Sequence, residues 1–390
     1  MIRNISVGID VGTYTTRVVV SEFFKGDSTP HIIATGSAET RGLRHGYITN
    51  VSLAAESIRK AVTEAERASK IRIKRAFASI GGVSLGSELG SGSAIISKAD
   101  TEVTVLDIKK AVQNSRENLQ IQNRKILETV PLFYKLDGKE VLGKPVGMKG
   151  IKLEAKTLFI TSLSQHIEDL VSAMAEAGVE TIDVIASPIA AATVALTERQ
   201  KIAGCVLINI GAETVSIAVF ENGILIAMHV FSIGSTDITN DIALGLKIPI
   251  EEAENVKLGG ASYNNYPKKK VDEIIEARLS DIFELVEKYL KKMGRSGLLP
   301  AGAIITGGGA HVSSIEDISK ALLRLPSRLG SAEYFAHAKI KPKDSSWFVA
   351  TGLCIAGKDS EQNDRADGSF SGTAHSIKKF LGGMIRQILP

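Results

Sequence analysis

Three short turns in this 390-residue chain are built to hold an anion. The first, Asp10-Val11-Gly12-Thr13-Tyr14-Thr15-Thr16, sets a carboxylate beside small residues whose backbone N–H groups can approach negative charge closely. Gly211-Ala212-Glu213-Thr214 has the same make-up. Gly307-Gly308-Gly309 lies between an apolar run and a helical segment, where a ligand can press on bare backbone near a helix N-terminus. Each alone is an ordinary turn. A further pair, Glu254 and Lys257, stands three residues apart on a helical segment, and by spacing alone it reads as a solvated ion pair.

The segments around these turns decide whether they can act together. Residues 5–24 alternate in the strand manner on both sides of the first turn, which predicts a β-hairpin with Asp10 at its bend. A strand at 31–35, a helix from Asn50 to Ser69 with Asn50 or Ser52 as N-cap, and a strand at Phe77–Ile80 follow. From residue 204 the opening pattern recurs. Val206-Leu207-Ile208, Asn209 and the second turn lead into Ile217–Phe220, then Asn222-Gly223 and a strand at 224–231. Two related α/β lobes are predicted, each presenting one turn to the other. Residues 84–160 differ in texture, with short β-like runs around one polar helix at about 107–119, an inserted α+β unit. Helices are expected at 165–177, 236–246, 250–258, 270–293, 314–323 and from Trp347, with strands at 181–185 and 303–306.

The Ser/Gly/Asp-rich stretch 357–374 reads as a disordered linker. Beyond it, Ile377, Phe380, Leu381, Met384, Ile385 and Ile388 form one apolar face flanked by Lys378, Lys379 and Arg386. Gly382-Gly383 costs about 2 kcal/mol of helix propensity, so this helix is expected to form on a surface. A terminal helix docked on its own core is the ordinary alternative, but the detaching linker and the unopposed basic residues favour an interfacial membrane helix.

Composition excludes several classes. With 44% hydrophobic and 23% charged residues the chain is an ordinary multi-domain globular protein. A net charge of +4 and 5% aromatic residues give no support for a nucleic-acid platform. Cys205 and Cys354 sit in apolar runs and read as buried thiols of a reducing compartment. No leader and no membrane-spanning run of about 20 apolar residues is evident, so a cytoplasmic chain is expected.

The order and spacing of the three turns resemble the actin and heat-shock-chaperone ATPase superfamily, with Ala-rich segments at Ser187–Ala192 and Ala350–Ala356 in the places of its crossing helices. Within it the chain resembles the FtsA family of bacterial cell-division proteins over 1–357 and the tail. Arg41-Gly42-Leu43-Arg44-His45-Gly46, Ala65-Glu66, Gly81-Gly82-Val83, Gly147–Glu154 and Leu196-Thr197-Glu198-Arg199 carry that resemblance. It implies an α/β, actin-like fold of two ribonuclease-H-like lobes with an inserted subdomain. The first lobe would comprise 1–83 and 161–200, the insert 84–160, and the second lobe 201–244 and 301–357. A smaller subdomain at 245–300, a linker at 358–375 and a membrane helix at 376–390 complete the scheme.

The resemblance further implies ATP and Mg²⁺ as ligands. Asp10 would orient a Mg²⁺-bound water, and Gly12, Thr13 and Tyr14 would give N–H groups to the phosphates. Arg17 stands near the place of a basic residue. Gly211, Ala212 and Thr214 would form the second phosphate hairpin, Glu254 and Lys257 would hold ribose and adenine, and Gly307, Gly308 and Gly309 would receive the nucleotide. The superfamily usually has Asp in place of Asn209 and Gly in place of Glu213. Asn209 lacks the negative charge that helps hold Mg²⁺ or polarise the attacking water, and Glu213 either compensates or repels the phosphates. Binding with slow or absent hydrolysis is expected. The implied partners are the FtsZ C-terminal peptide at the smaller subdomain, other division proteins at 84–160, further copies in a head-to-tail filament, and membrane lipid at the division site. A pilus-assembly-type cytoplasmic scaffold and a small-molecule kinase of the same fold are the alternatives.

Overall fold

The computed structural model describes residues 4–24, 30–97, 100–332 and 344–366; side chains at 261–262 and 358–366 lie outside that description. Two five-stranded sheets share one strand order. From edge to edge the first runs His31–Glu39, Thr15–Phe23, Asn4–Val11, Arg75–Ile80, Glu180–Ala186. The second runs Ile224–Phe231, Val215–Glu221, Cys205–Ile210, Gly302–Thr306, Ser327–Leu329. In each, the first three strands in chain order form an antiparallel meander, and the fourth and fifth join parallel to the first. Short polar turns can make only the antiparallel joints; the parallel ones need long crossovers, and the additional units are spliced into those crossovers.

In each half a helix follows the fifth strand: Ser187–Ala195 and Phe348–Ala366. They cross between the two sheets and share one core with both, including Val18, Phe77, Ala191, Leu207, Ala218 and Leu353. The Ala-rich composition is what lets them cross. A Cβ on Gly352 would lie 1.8 Å from the Ala190 carbonyl oxygen, so the helix backbones touch there. The outer face of the second sheet buries a separate core under Ser235–Leu246, Lys268–Lys292 and Ile315–Leu323.

The insert leaves the first lobe after its fourth strand. It is a four-stranded antiparallel sheet in the order Gly86–Ile95, Lys152–Leu163, Arg124–Leu136, Lys139–Val141, with helix Val105–Glu117 packed on it and a small core of its own. Thr104 and Asp107 form a capping box at that helix. Helices Ile250–Lys257 and Lys268–Lys292 occupy the crossover of the second lobe.

Asn50, not Ser52, caps helix Val51–Ser69, its Oδ1 accepting from the Leu53 N–H at 3.0 Å. The short helix Glu198–Ala203 was not foreseen, although Thr197 and Gln200 spell its capping box. The expected linker is shorter at its start. Helix Phe348–Ala366 continues nine residues past Gly357, because 358–366 contain neither Gly nor Pro and extend a helix already nucleated on the core. Residues 376–390, and with them the expected membrane helix, lie outside the described residues. Among the described residues no helix is long and apolar enough to cross a membrane.

Candidate nucleotide site

The two sheets face each other across a cleft of about 300 Å³. Its walls are the turns that the sequence singles out. Asp10 is the last residue but one of the first strand, paired in register with Arg17, and Gly12, Thr13 and Tyr14 make the turn that follows. Asn209, Gly211, Ala212 and Thr214 occupy the same position in the second lobe and line the opposite wall. Glu254, Lys257, Gly307 and Gly308 line it as well.

Asp10 is buried and accepts a 2.7 Å hydrogen bond from the Ser79 hydroxyl. Burial pushes its carboxyl above the ordinary carboxylate range, a push that Ser79 and the charge of Arg17 oppose. A buried carboxylate at the edge of a cleft lined by small-residue turns suits a hydrated divalent cation carrying phosphate. The residues present therefore fit Mg²⁺ held through water at Asp10, while among the described residues no cluster of three protein ligands could hold a bare metal ion. The Arg17 guanidinium stands 5.7 Å over the Trp347 ring. Tyr14 lines the cleft and is 61% exposed.

Lys257 and Glu254 correct the spacing-based reading. Their ion pair measures 2.7 Å, and the Lys257 side chain is only 5% exposed against 31% for Glu254. Lys257 Nζ also donates to Thr239 Oγ1 at 2.9 Å and to the Ser235 carbonyl at 3.3 Å. The pair is therefore embedded in the cleft wall. It is not a solvated surface feature.

The third turn departs from expectation only at its last glycine. Gly307 (φ 96°) leads into a single 3-10 turn, Gly308–His311, and the helix expected at 314–323 runs Ile315–Leu323. Within the second lobe, Gly307 lies so close to the end of the neighbouring strand that a Cβ there would sit 2.3 Å from the Ile210 carbonyl oxygen and 2.4 Å from Asn209 Oδ1. Gly309 does not line the cleft; it packs against Ile210 and Ser235 behind the wall. Glu213 does not enter the cleft as a substitute carboxylate. Its carboxylate accepts the backbone N–H of His45, from the first lobe.

Sequence reading missed several lining residues. Ser79 is the partner of Asp10, and Gly46, Gly81 and Gly82 floor the cleft beside it. Ser235 and Thr236 open helix Ser235–Leu246, and their N–H groups donate to the Gly211 and Ala212 carbonyls at 2.9 and 2.8 Å, suspending the second hairpin from a helix start. Gly234-Ser235-Thr236-Asp237 carried a capping signal that would have pointed to it. Ser345, whose hydroxyl donates to the Gly307 carbonyl at 3.2 Å, is brought there only by the fold.

Two lobes of one strand order, crossing helices between them and a turn-lined cleft define an actin-like protein. Solved structures agree at the level of fold. PilM in the "PilM-PilN type IV pilus biogenesis complex" superposes with a TM-score of 0.67 at 16% identity, covering 90% of this chain and 98% of that one. MreB5 of Spiroplasma citri bound to ADP gives 0.54 at 15%, covering 93% and 99%. The sequence is more particular. The family model "Cell division protein FtsA" matches residues 206–352, and "SHS2 domain inserted in FTSA" matches 82–161. The cell division protein FtsA of Bacillus subtilis (strain 168) is 30% identical over 368 residues, 89% of this chain and 82% of the relative. The chain belongs to the FtsA family of cell-division proteins.

Proposed function

We propose that the chain binds ATP with Mg²⁺ between its lobes, polymerises in the bound form, and anchors FtsZ filaments to the cytoplasmic face of the membrane through residues 376–390. The observation that carries the nucleotide step is the convergence of three backbone-rich turns and a buried Asp10 on one cleft. Two hairpins in matching positions can grip a phosphate chain from both sides, Gly307 and Gly308 leave room for a flat group, and Lys257 supplies positive charge. Asp10 would hold the water shell of a bound Mg²⁺, which would supply charge neutralisation to the phosphates. Asn209 provides no negative charge opposite Asp10, so hydrolysis is slow or absent.

The tail supplies a weak interfacial anchor, and a polymer multiplies weak anchors into stable attachment. The insert, with its own core, offers a surface to the next subunit and to other division proteins, and the Lys268–Lys292 helix offers one to the FtsZ C-terminal peptide. Family membership supports this reading over the pilus-scaffold and kinase alternatives. Electron microscopy of the full chain on a lipid monolayer tests it: filaments are expected with Mg-ATP and not without it. Removing 376–390 is expected to abolish co-sedimentation with vesicles; a truncated chain that still pellets with them overturns the tail assignment.

A further inference from the structure

The segment Thr40–Ile48, whose Gly46 lines the cleft, joins the first hairpin to the second. At its start, the Thr40 N–H donates to the Tyr14 carbonyl at 3.0 Å, and the Thr16 and Thr40 hydroxyls lie 2.8 Å apart, tying it to the first hairpin. In its middle, strands Leu43–Arg44 and Tyr47–Ile48 form a tight ribbon whose turn holds His45 at φ 48° and Gly46 at φ 77°. Gly46 lies against Gly82: a Cβ on Gly46 would sit 2.3 Å from Gly82 Cα, so neither can carry a side chain. His45 accepts from the Val83 N–H at 3.2 Å through its carbonyl. Its own N–H crosses to the second lobe and donates to the Glu213 carboxylate, and its ring Nδ1 lies 3.3 Å from the Glu213 carbonyl oxygen. Glu213 sits between Ala212 and Thr214, both of which line the cleft.

We propose that Glu213 is a positioning residue: by clasping the His45 backbone it holds the second phosphate hairpin against the first lobe and keeps the cleft closed. This inference rests on the nucleotide reading for its effect on affinity, but not for its effect on lobe geometry. The physical basis is a charge-assisted hydrogen bond between elements 168 residues apart in sequence, half-buried and aimed at a left-handed backbone turn that has no strand partner for that N–H. A glycine here, as the superfamily pattern has it, would leave the His45 N–H without this acceptor. The clasp also reaches the root of the insert. Tyr47 stacks on His166 at 4.9 Å, and His166 Nδ1 lies 2.5 Å from the Ser84 hydroxyl, which in turn meets Ser162 at 3.0 Å.

The test uses the full chain with spin labels at Lys60→Cys and Leu244→Cys, both exposed and one on each lobe, since native Cys205 and Cys354 are buried. The inter-lobe distance distribution is measured without nucleotide, and Mg-ATP affinity is measured by calorimetry on the unlabelled chains. Glu213→Ala is expected to lengthen and broaden the distribution and to weaken Mg-ATP binding about tenfold, the scale of one charge-assisted hydrogen bond. Glu213→Gly, which the turn accepts without strain, is a second broken clasp with the same expectation. Glu213→Gln keeps an acceptor oxygen and is expected to restore the wild-type distribution. An unchanged distribution in both broken variants overturns the clasp, as does tighter Mg-ATP binding in Glu213→Ala or a Gln variant that behaves like Ala. A wild-type chain without affinity for Mg-ATP overturns the nucleotide reading alone, and the distance measurement then still decides the clasp.

Discussion

Replacing Lys257 with Met isolates one charge in the cleft wall. Met has nearly the same stem, so little volume is lost and the effect is electrostatic. Nζ contributes a 2.7 Å ion pair to Glu254, a 2.9 Å hydrogen bond to Thr239 and a 3.3 Å bond to the Ser235 carbonyl, from a side chain 5% exposed. Breaking a fully buried pair by deleting one partner costs about 3–5 kcal/mol. Glu254 is 31% exposed and keeps the Thr239 hydroxyl at 2.5 Å, so solvent and that donor offset roughly half, leaving about 2 kcal/mol. At about 2.1 cal/mol/K of unfolding entropy per residue over 390 residues, this lowers the melting temperature by about 2 °C. Differential scanning calorimetry of the nucleotide-free chain reads that shift. If the cleft takes nucleotide as proposed, calorimetric titration with Mg-ATP is expected to show an affinity about tenfold lower, because the same ammonium lines that cleft. A melting temperature equal to or above wild type would refute the burial argument; a lowered one with unchanged affinity would refute the placement of Lys257 at the nucleotide.

Asp10→Asn is expected to stabilise the nucleotide-free chain while removing the Mg²⁺ dependence of nucleotide binding. Burial raises the Asp10 carboxyl above its unfolded value of 3.8, so the folded state holds its proton longer and wild-type stability declines as pH rises from 3.8 through the folded value. Asn, still able to accept from Ser79, lacks that decline, and melting curves of the two proteins should diverge with rising pH. Gly307→Ala drives a Cβ into the Ile210 carbonyl and Asn209 at φ 96°, and is expected to weaken Mg-ATP binding more than tenfold in equilibrium titrations. Asn209→Asp restores a carboxylate opposite Asp10, and a phosphate-release assay is expected to show turnover rising about tenfold or more from a wild-type rate below roughly 1 per second.

Local rules carried much of the fold. The strand–turn–strand pattern at 5–24 and again at 205–231 reflects short-range alternation and polar turns, and the two sheets built from them share one strand order. The start of helix Val51–Ser69, narrowed to a cap at Asn50 or Ser52, and the apolar stripe of Lys268–Lys292 were also legible, because caps and helical periodicity act within a few residues of themselves, whereas the crossing of the Ala-rich segments came from the family resemblance. Turn chemistry likewise marked Gly12, Gly211 and Gly307 before any fold was known.

Tertiary structure decided what those turns face. Ser79 reaches Asp10 only because the fourth strand enters the sheet parallel to the first, across 69 residues of chain. Lys257 looks like a surface charge until Thr239 and Ser235 close over it, since burial depends on the neighbouring helix and not on its own spacing. Glu213 shows the same division. Its sequence position announces a phosphate hairpin, but its carboxylate is spent on the His45 backbone of the other lobe, a partner that no local pattern can supply.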